Sequence, residues 1–217
     1  MRARTHKMYQ VDAFASEVFT GNPAAVCVLH EWLDDTTLQK IAAENNLAET
    51  AFIIKTGTGY DLRWFTPAVE IDLCGHATLA SAFVIFKFLE PELNYVVFKT
   101  MSGQLEVTMD AEHKLRMDFP SRAPEKIAIT ALHEQAFGIK PSEVWQSRDL
   151  LMLFESETQV TNLQPNLDKI SEIEDSFAVI ATARGDDVDF VSRFFAPNAG
   201  IPEDPVTGSA HCTLVPF

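Results

Sequence analysis

The sequence has no stretch that approaches the roughly 18 uninterrupted apolar residues of a transmembrane helix. Its basic start, residues 1–14, also lacks the apolar run of a secretory signal peptide. Basic residues are scarce throughout: 17 Lys and Arg stand against 31 Asp and Glu, and the formal net charge is −14. Such a surface repels phosphate backbones and anionic lipid. We therefore expect a cytoplasmic protein with no nucleic-acid or membrane partner.

Cysteine is also scarce. The three cysteines, Cys27, Cys74 and Cys212, are odd in number and widely spaced. This pattern fits neither a disulfide framework nor a zinc site. It predicts free thiols and no metal centre.

Short apolar segments and helical patterns alternate along the 217 residues, which indicates an α/β (α+β) fold. Strand patterns occupy residues 8–14, 24–29, 51–56, 60–66 and several segments after 94, and helical spacing occupies residues 34–46 and 76–89. The helix at 76–89 is apolar almost all round, which predicts that it is buried within its domain.

An internal repeat organises these elements. RWFTP at 63–67 matches RFFAP at 193–197, and each is followed by an acidic linker and a small-residue helix start, CGHATLA and TGSAHCT. Two matches in the same order predict a duplication, with a short insertion in the second copy. We expect two domains, 1–121 and 122–217, each with strands wrapped around its own apolar helix.

The two helix starts are candidate anion sites. A helix N-terminus exposes backbone N–H groups and the positive end of the helix dipole, and Gly75 and Gly208 allow a ligand to approach closely. The pair would suit a carboxylate or an enolate, with Ser209 and His76 as additional donors. Alternatively, the glycines only permit tight strand-to-helix turns.

Glu49, in LAETAF, is a candidate general acid/base. It stands between a helix and an apolar strand, where partial burial would favour its protonated form. Alternatively, it is a solvated loop residue. Glu44, on the preceding helix, is a weaker candidate and is expected to face water.

His76 and Asp204 stand beside the two helix starts, where they could orient a substrate or assist proton transfer. Each could also be an ordinary capping or turn residue. Cys74 precedes Gly75, and a helix N-terminus favours the thiolate. The corresponding position in the second copy is Thr207, so the sequence does not provide a thiol at each helix start for proton transfer by two cysteines.

Four segments together resemble the PhzF-like (phenazine biosynthesis-like) family of the diaminopimelate epimerase-like fold. They are DAFASEVFTGNPAAVCVL, NLAETAF, RWFTPAVEIDLCGHATLASA and FFAPNAGIPEDPVTGSAHCTL. The resemblance implies two pseudo-symmetric halves, each a mostly antiparallel barrel-like sheet around a central helix. It further implies a site in the cleft between the halves and a homodimer.

The resemblance also implies an activity: a cofactor-independent isomerase that moves a proton on a small carboxylate-bearing substrate. By correspondence Glu49 would be the acid/base, supported by His76 and Asp204. The substrate-binding residues would be Gly75, Gly208 and Ser209. Two alternatives stay open, a cysteine-dependent amino-acid epimerase or racemase that uses Cys74, and an inactive ligand-binding member.

The end of the sequence adds one expectation. TGSAHCTL is typical of a helix start with Thr207 and Ser209 as candidate N-caps, and Pro216 would interrupt that helix. Members of the family usually continue further. We therefore expect the second domain to be incomplete at its C-terminus and to expose apolar surface.

Overall fold

The computed structural model describes residues 5–17 and 19–217, so the first four residues of the basic start lie outside it. The chain divides into two compact units, Met1–Phe119 and Pro120–Phe217. The expected division into a first domain, 1–121, and an incomplete second domain, 122–217, stays a prediction, because a compact unit need not be a domain that folds by itself.

The first unit contains eight strands and two α-helices among its described residues. They are β1 (Lys7–Ala13), β2 (Asn22–Leu29), α1 (Asp35–Asn45), β3 (Glu49–Thr56), β4 (Gly59–Phe65), β5 (Glu70–Ile71), α2 (Gly75–Val84), β6 (Tyr95–Thr100), β7 (Gly103–Met109) and β8 (Leu115–Met117). The strands form one sheet in the order β1-β2-β3-β4-β6-β7-β8, with β5 paired to β4. Because α2 packs against β1, β2, β3 and the opposite edge strand β8, the sheet curls around this helix.

The helix α1 shows how local sequence sets an element. Asp34 accepts hydrogen bonds from the backbone N–H and the hydroxyl of Thr37, at 2.9 and 2.7 Å, and so caps the N-terminus. Asn46 ends the helix in the left-handed conformation. Leu38 and Ala42 are buried beneath the helix, against β3 and β4. The helix predicted at 34–46 therefore forms at Asp35–Asn45.

The helix expected at 76–89 differs in two ways. The α-helix ends at Val84 and continues as a π-helical turn, Ile85–Leu89. It is also not buried all round: the side chains of Phe83 and Phe88 are 41 and 51 % exposed. Phe83 lines a groove whose walls come from β1 and β8, the two edges of the sheet, which explains why this helix face is uncovered.

The described second unit contains six strands and four α-helices. They are β9 (Glu125–Ile127), α3 (Ala131–Phe137), β10 (Glu143–Gln146), β11 (Leu150–Leu153), α4 (Glu157–Asn162), α5 (Leu167–Ser171), β12 (Val179–Arg184), β13 (Phe190–Ala196), β14 (Ile201–Asp204) and α6 (His211–Leu214). The sheet order is β14-β13-β12-β11-β10-β9. One buried cluster joins the sheet to α3, α4 and α5, and another contains Ala210 and Leu214 at the end of the chain.

Of the two predicted caps at the second helix start, Thr207 holds the N-cap position without a capping bond from its side chain, and the prediction for Ser209 is wrong. Gly208–Ala210 forms a 3₁₀ turn before α6, and the side chain of Thr207 makes no capping hydrogen bond to it. Its hydroxyl donates to Asp204 instead, at 2.6 Å. Ser209 lies inside the turn, where it cannot act as an N-cap.

The architecture confirms the predicted fold class, a mixed α+β protein with curled half-barrel sheets. Of the described helices, none combines the length and the apolar character that are needed to cross a bilayer.

Candidate active site

Three elements of the first unit bring polar side chains to one place. Asn22 opens β2 and Glu49 opens β3, and these neighbouring strands run parallel, with Ala24 opposite Glu49. Their first residues therefore lie at the same end of the sheet. His76, in the first turn of α2, contacts both Asn22 and Glu49.

Glu49 and His76 form a buried pair. Glu49 Oε2 lies 3.1 Å from His76 Nε2. The two residues are only 3 and 2 % exposed. The alternative of a solvated loop glutamate is therefore wrong, and so is that of a surface histidine. A carboxyl group next to an imidazole and away from bulk water is an arrangement that can pass a proton between the two groups.

Burial lowers the pKa of His76 to about 4, although the carbonyl of Pro23 accepts a hydrogen bond from the ring and opposes this shift. The imidazole is therefore neutral near pH 7. A neutral ring donates at one nitrogen and accepts at the other. The contact with Glu49 at neutral pH is therefore not a salt bridge to a histidinium.

Cys74 is the third group at this position. It is the N-cap residue of α2, and its side chain does not cap the helix. Its Sγ lies 3.5 Å from His76 Nδ1, and the amide nitrogen of Asn22 lies 3.4 Å from the same ring nitrogen. One imidazole thus connects a thiol and an amide on one side with the carboxyl group of Glu49 on the other.

Glu49, Cys74 and His76 also carry the kinds of group that bind metal ions. Ligand atoms of Glu49, Cys74 and His76 lie within 4.8 Å of one another. However, the closest approaches of the thiol and the carboxylate are to different ring nitrogens, and one ion binds only one of them. The positive end of α2 also disfavours a cation. The carboxyl group and the thiol therefore lie against opposite nitrogens of one imidazole, an arrangement that suits proton transfer better than a coordination sphere.

The second unit contains the other predicted residues. Asp204 is the last residue of β14 and is 7 % exposed, and its Oδ2 accepts the hydrogen bond from Thr207. Gly208 and the buried Ser209 follow in the 3₁₀ turn. The structure thus brings Glu49, Cys74 and His76 together in one unit, and Asp204 together with Thr207 in the other.

Asn22 is the residue that the sequence analysis missed. Asn22 begins β2 and is fully buried. The available signal was an amide residue immediately before a long apolar run, since such a residue is carried into the interior with its strand.

A family model described as phenazine biosynthesis-like protein (PhzC-PhzF) matches residues 11–217. The chain belongs to this family. A Pseudomonas aeruginosa protein named as an uncharacterized isomerase is 48% identical over 212 residues, which is 97% of this chain and 80% of that protein. The crystal structure of a PhzF family protein from Enterococcus faecalis has a TM-score of 0.87 at 49% identity and covers 97% of this chain and 81% of that one.

A predicted epimerase from Pseudomonas aeruginosa shares the fold alone, with a TM-score of 0.71 at 22% identity over 95% of this chain and 78% of that one. The predicted family and the predicted isomerase class are therefore confirmed.

Proposed function

We propose that this phenazine biosynthesis-like chain is a cofactor-independent isomerase that moves a proton on a small carboxylate-bearing substrate. Glu49 is the general acid/base. The observation that carries the proposal is the buried contact between Glu49 Oε2 and His76 Nε2, 3.1 Å apart. A carboxyl group with a neutral imidazole beside it can accept a proton from carbon and return it elsewhere, and such catalysis contributes about 10²- to 10⁴-fold in rate.

His76 supports this role because it is neutral. A histidinium would hold Glu49 as a carboxylate through both halves of the reaction, whereas a neutral ring allows the carboxyl group to cycle between its two forms. The pKa of His76, lowered to about 4 by burial, keeps the ring neutral at physiological pH. His76 therefore acts as a neutral group in close contact with Glu49, 3.1 Å from its carboxyl oxygen.

The start of α2 supplies the site for the substrate's negative charge. Gly75 is the first residue of this ten-residue helix, and the side chain of Cys74 makes no capping bond. Backbone N–H groups in a first helical turn can stabilise a carboxylate or the enolate that forms when carbon loses a proton. Gly75 is therefore a substrate-binding residue in this proposal.

In the second unit, the proposal assigns Asp204 to support of the proton transfer and Gly208 and Ser209 to substrate contact. These assignments rest on the family's motif EDPVTGS at 203–209. Burial of Asp204 and Ser209 is consistent with such roles, because a buried polar side chain requires hydrogen-bonding partners. A homodimer also remains a prediction from the family.

Hydrogen exchange from carbon tests the proposal. The protein is incubated in D₂O with a panel of dihydroaromatic carboxylates and amino acids, and deuterium incorporation is followed by mass spectrometry. We expect Glu49→Gln to lose about 100-fold or more of the exchange rate. Glu44→Gln is the matched control, since it makes the same change at an exposed position on α1 and should retain the rate. A wild-type rate in Glu49→Gln would refute the assignment.

One observation favours a second candidate, a cysteine-dependent epimerase or racemase. Cys74 Sγ lies 3.5 Å from His76 Nδ1, so the thiol could itself transfer a proton. Under that mechanism Cys74→Ser would abolish exchange and Glu49→Gln would not. Thr207 weakens this candidate, since the second thiol of such a mechanism has no equivalent there. A member that only binds ligands would show altered affinity in Glu49→Gln and no exchange in any variant.

A further inference from the structure

The internal repeat extends into the strand pairing of each unit. In the first unit, Trp64 pairs with Ile71, and in the second, Phe194 pairs with Asp204. Ile71 and Asp204 stand at the same spacing before the glycine that opens each helix start. The two residues therefore occupy equivalent positions of the repeat. The first copy has the buried apolar residue Ile71 there, and the second copy has the acid Asp204. A carboxylate at such a position is costly unless neighbouring groups hold it.

An arginine fixes the strand that carries Asp204. Arg193 Nε and Nη2 donate to the two carboxylate oxygens of Glu203 at 2.7 and 2.9 Å. Its Nη1 donates to the carbonyls of Val160 and Leu163 at 3.2 and 2.8 Å. A bidentate pair restricts both partners geometrically. Because the Glu203 side chain is 40% exposed, its charge is screened, and the contribution of this pair is geometric more than electrostatic.

The first unit contains a matching pair. Arg63 Nε and Nη2 donate to the two oxygens of Glu70, both at 2.7 Å. Arg63 is the first residue of RWFTP, as Arg193 is of RFFAP. Each guanidinium lies over the ring of the phenylalanine two residues further on, at 5.2 and 5.1 Å from the ring centroid. The Arg–Glu pair is thus present in both copies of the repeat. The residue after the glutamate differs: it is Ile71 in the first copy and Asp204 in the second.

Thr207 is present only in the second copy, where the first has Cys74. Its Oγ1 donates to Asp204 Oδ2 at 2.6 Å and makes no bond to the following helical turn. A hydroxyl that donates to a carboxylate stabilises the charged form and selects one orientation of it. The acid is therefore held by its own hydrogen bond and by the strand that carries it.

We propose that Thr207 and the Arg193–Glu203 pair are positioning residues that hold the Asp204 carboxylate in one orientation for proton transfer. This inference rests on the proposed function, in which Asp204 supports the reaction. Thr207 acts directly through its hydroxyl, and Arg193 acts through Glu203, the neighbour of Asp204 on β14. The sequence predicted Thr207 only as a helix cap, because a Thr before Gly is typical of one, and identified Arg193 only as the first residue of the repeated RFFAP.

The first experiment compares Thr207→Val, which keeps the branched shape and removes the donor, with Thr207→Ser, which keeps the donor. Both are assayed by deuterium exchange on a compound of the panel that the wild-type protein exchanges. We expect Thr207→Val to lower the kcat of this exchange roughly 10- to 100-fold with little change in KM, as for a lost hydrogen bond to a charged group. The acidic limb of its pH–rate profile should move up by about one pH unit, the equivalent of a tenfold change in protonation. Thr207→Ser should restore both. Equal kcat in the three proteins would overturn the proposal.

A second measurement needs no substrate and so separates this inference from the proposed function. ¹³C NMR of the Asp204 carboxyl carbon gives its titration midpoint in each variant. We expect a higher midpoint in Thr207→Val and in Arg193→Lys, and an unchanged one in Arg63→Lys, which alters the matching pair of the first unit. If Arg63→Lys moves the midpoint as far as Arg193→Lys does, the pairs act on general stability and the proposal fails. Should Arg193→Lys not fold, the two Thr207 variants still decide the question.

If instead Glu49→Gln leaves the exchange rate of the enzyme unchanged, the proposed function fails. A midpoint shift in Thr207→Val would then still establish Thr207 as the group that holds Asp204. An unchanged midpoint together with a reduced kcat would refute the positioning role.

Discussion

At the scale of single residues, burial changes the chemistry of His76. An exposed histidine is half protonated near pH 6.5, whereas the buried ring stays neutral down to about pH 4. The unfolded chain therefore binds a proton that the folded chain rejects over this range. The contribution of the buried, neutral His76 to the free energy of unfolding is therefore fully present above about pH 6.5 and decreases as the pH falls from there towards 4.

This gives a prediction for stability. The free energy of unfolding of the wild-type protein, measured by urea denaturation, should fall between pH 7 and pH 4.5. His76→Gln should remove part of this dependence, because the side chain no longer titrates. His30→Gln, at an exposed position, is the control and should retain the wild-type slope. An identical slope in His76→Gln would contradict the lowered pKa.

At the scale of elements, the turn between β1 and β2 positions Asn22 next to His76. Gly21 precedes Asn22 and has a φ of +82°, a conformation that side chains rarely adopt. A Cβ atom at Gly21 would also overlap the carbonyl oxygen of Ala13. The turn therefore requires glycine for two separate reasons.

Gly21→Ala should accordingly destabilise the protein and displace Asn22 from the His76 ring. Gly57→Ala is a matched control, since Gly57 also has a positive φ, +53°, but open space around its Cβ position. We expect Gly57→Ala to cost about 1 kcal/mol from backbone strain alone, and Gly21→Ala to cost clearly more. Thermal unfolding of both variants measures the difference. Equal losses would show that the overlap with Ala13 is relieved at no cost.

At the scale of the whole molecule, the net charge of −14 dominates the long-range electrostatics. Like charges repel across the folded chain, and this repulsion is stronger in the compact state than in the expanded one. Salt shortens the Debye length from about 30 Å at 0.01 M to about 8 Å at 0.15 M. The close pairs, such as Arg63 with Glu70, are partly buried and are screened less.

Added salt should therefore raise the Tm at pH 7. Calorimetry at 0.01 and 0.15 M NaCl measures the effect, and the same comparison in choline chloride excludes binding of a specific cation. A Tm that falls with salt would show that attractive pairs outweigh the net repulsion.

The sequence by itself determined the features that depend on local order. Asp34 and Asn46 mark the ends of α1, the apolar run AFII marks β3, and the alternation of apolar residues marks β4. The motifs around Gly75 and Gly208 identify the family. Caps, periodicity and motif spacing are properties of neighbouring residues, so they can be recognised without the fold.

Only the tertiary structure decided how the candidate site is built. It buried Glu49, brought Asn22 to the ring of His76, and turned the Thr207 hydroxyl from the helix to Asp204. It also uncovered Phe83, which the apolar pattern had placed in the core. Burial and hydrogen-bond partners depend on residues that are distant in the chain, and the pKa of a group follows from that burial, which is why the spacing of residues alone could not supply them.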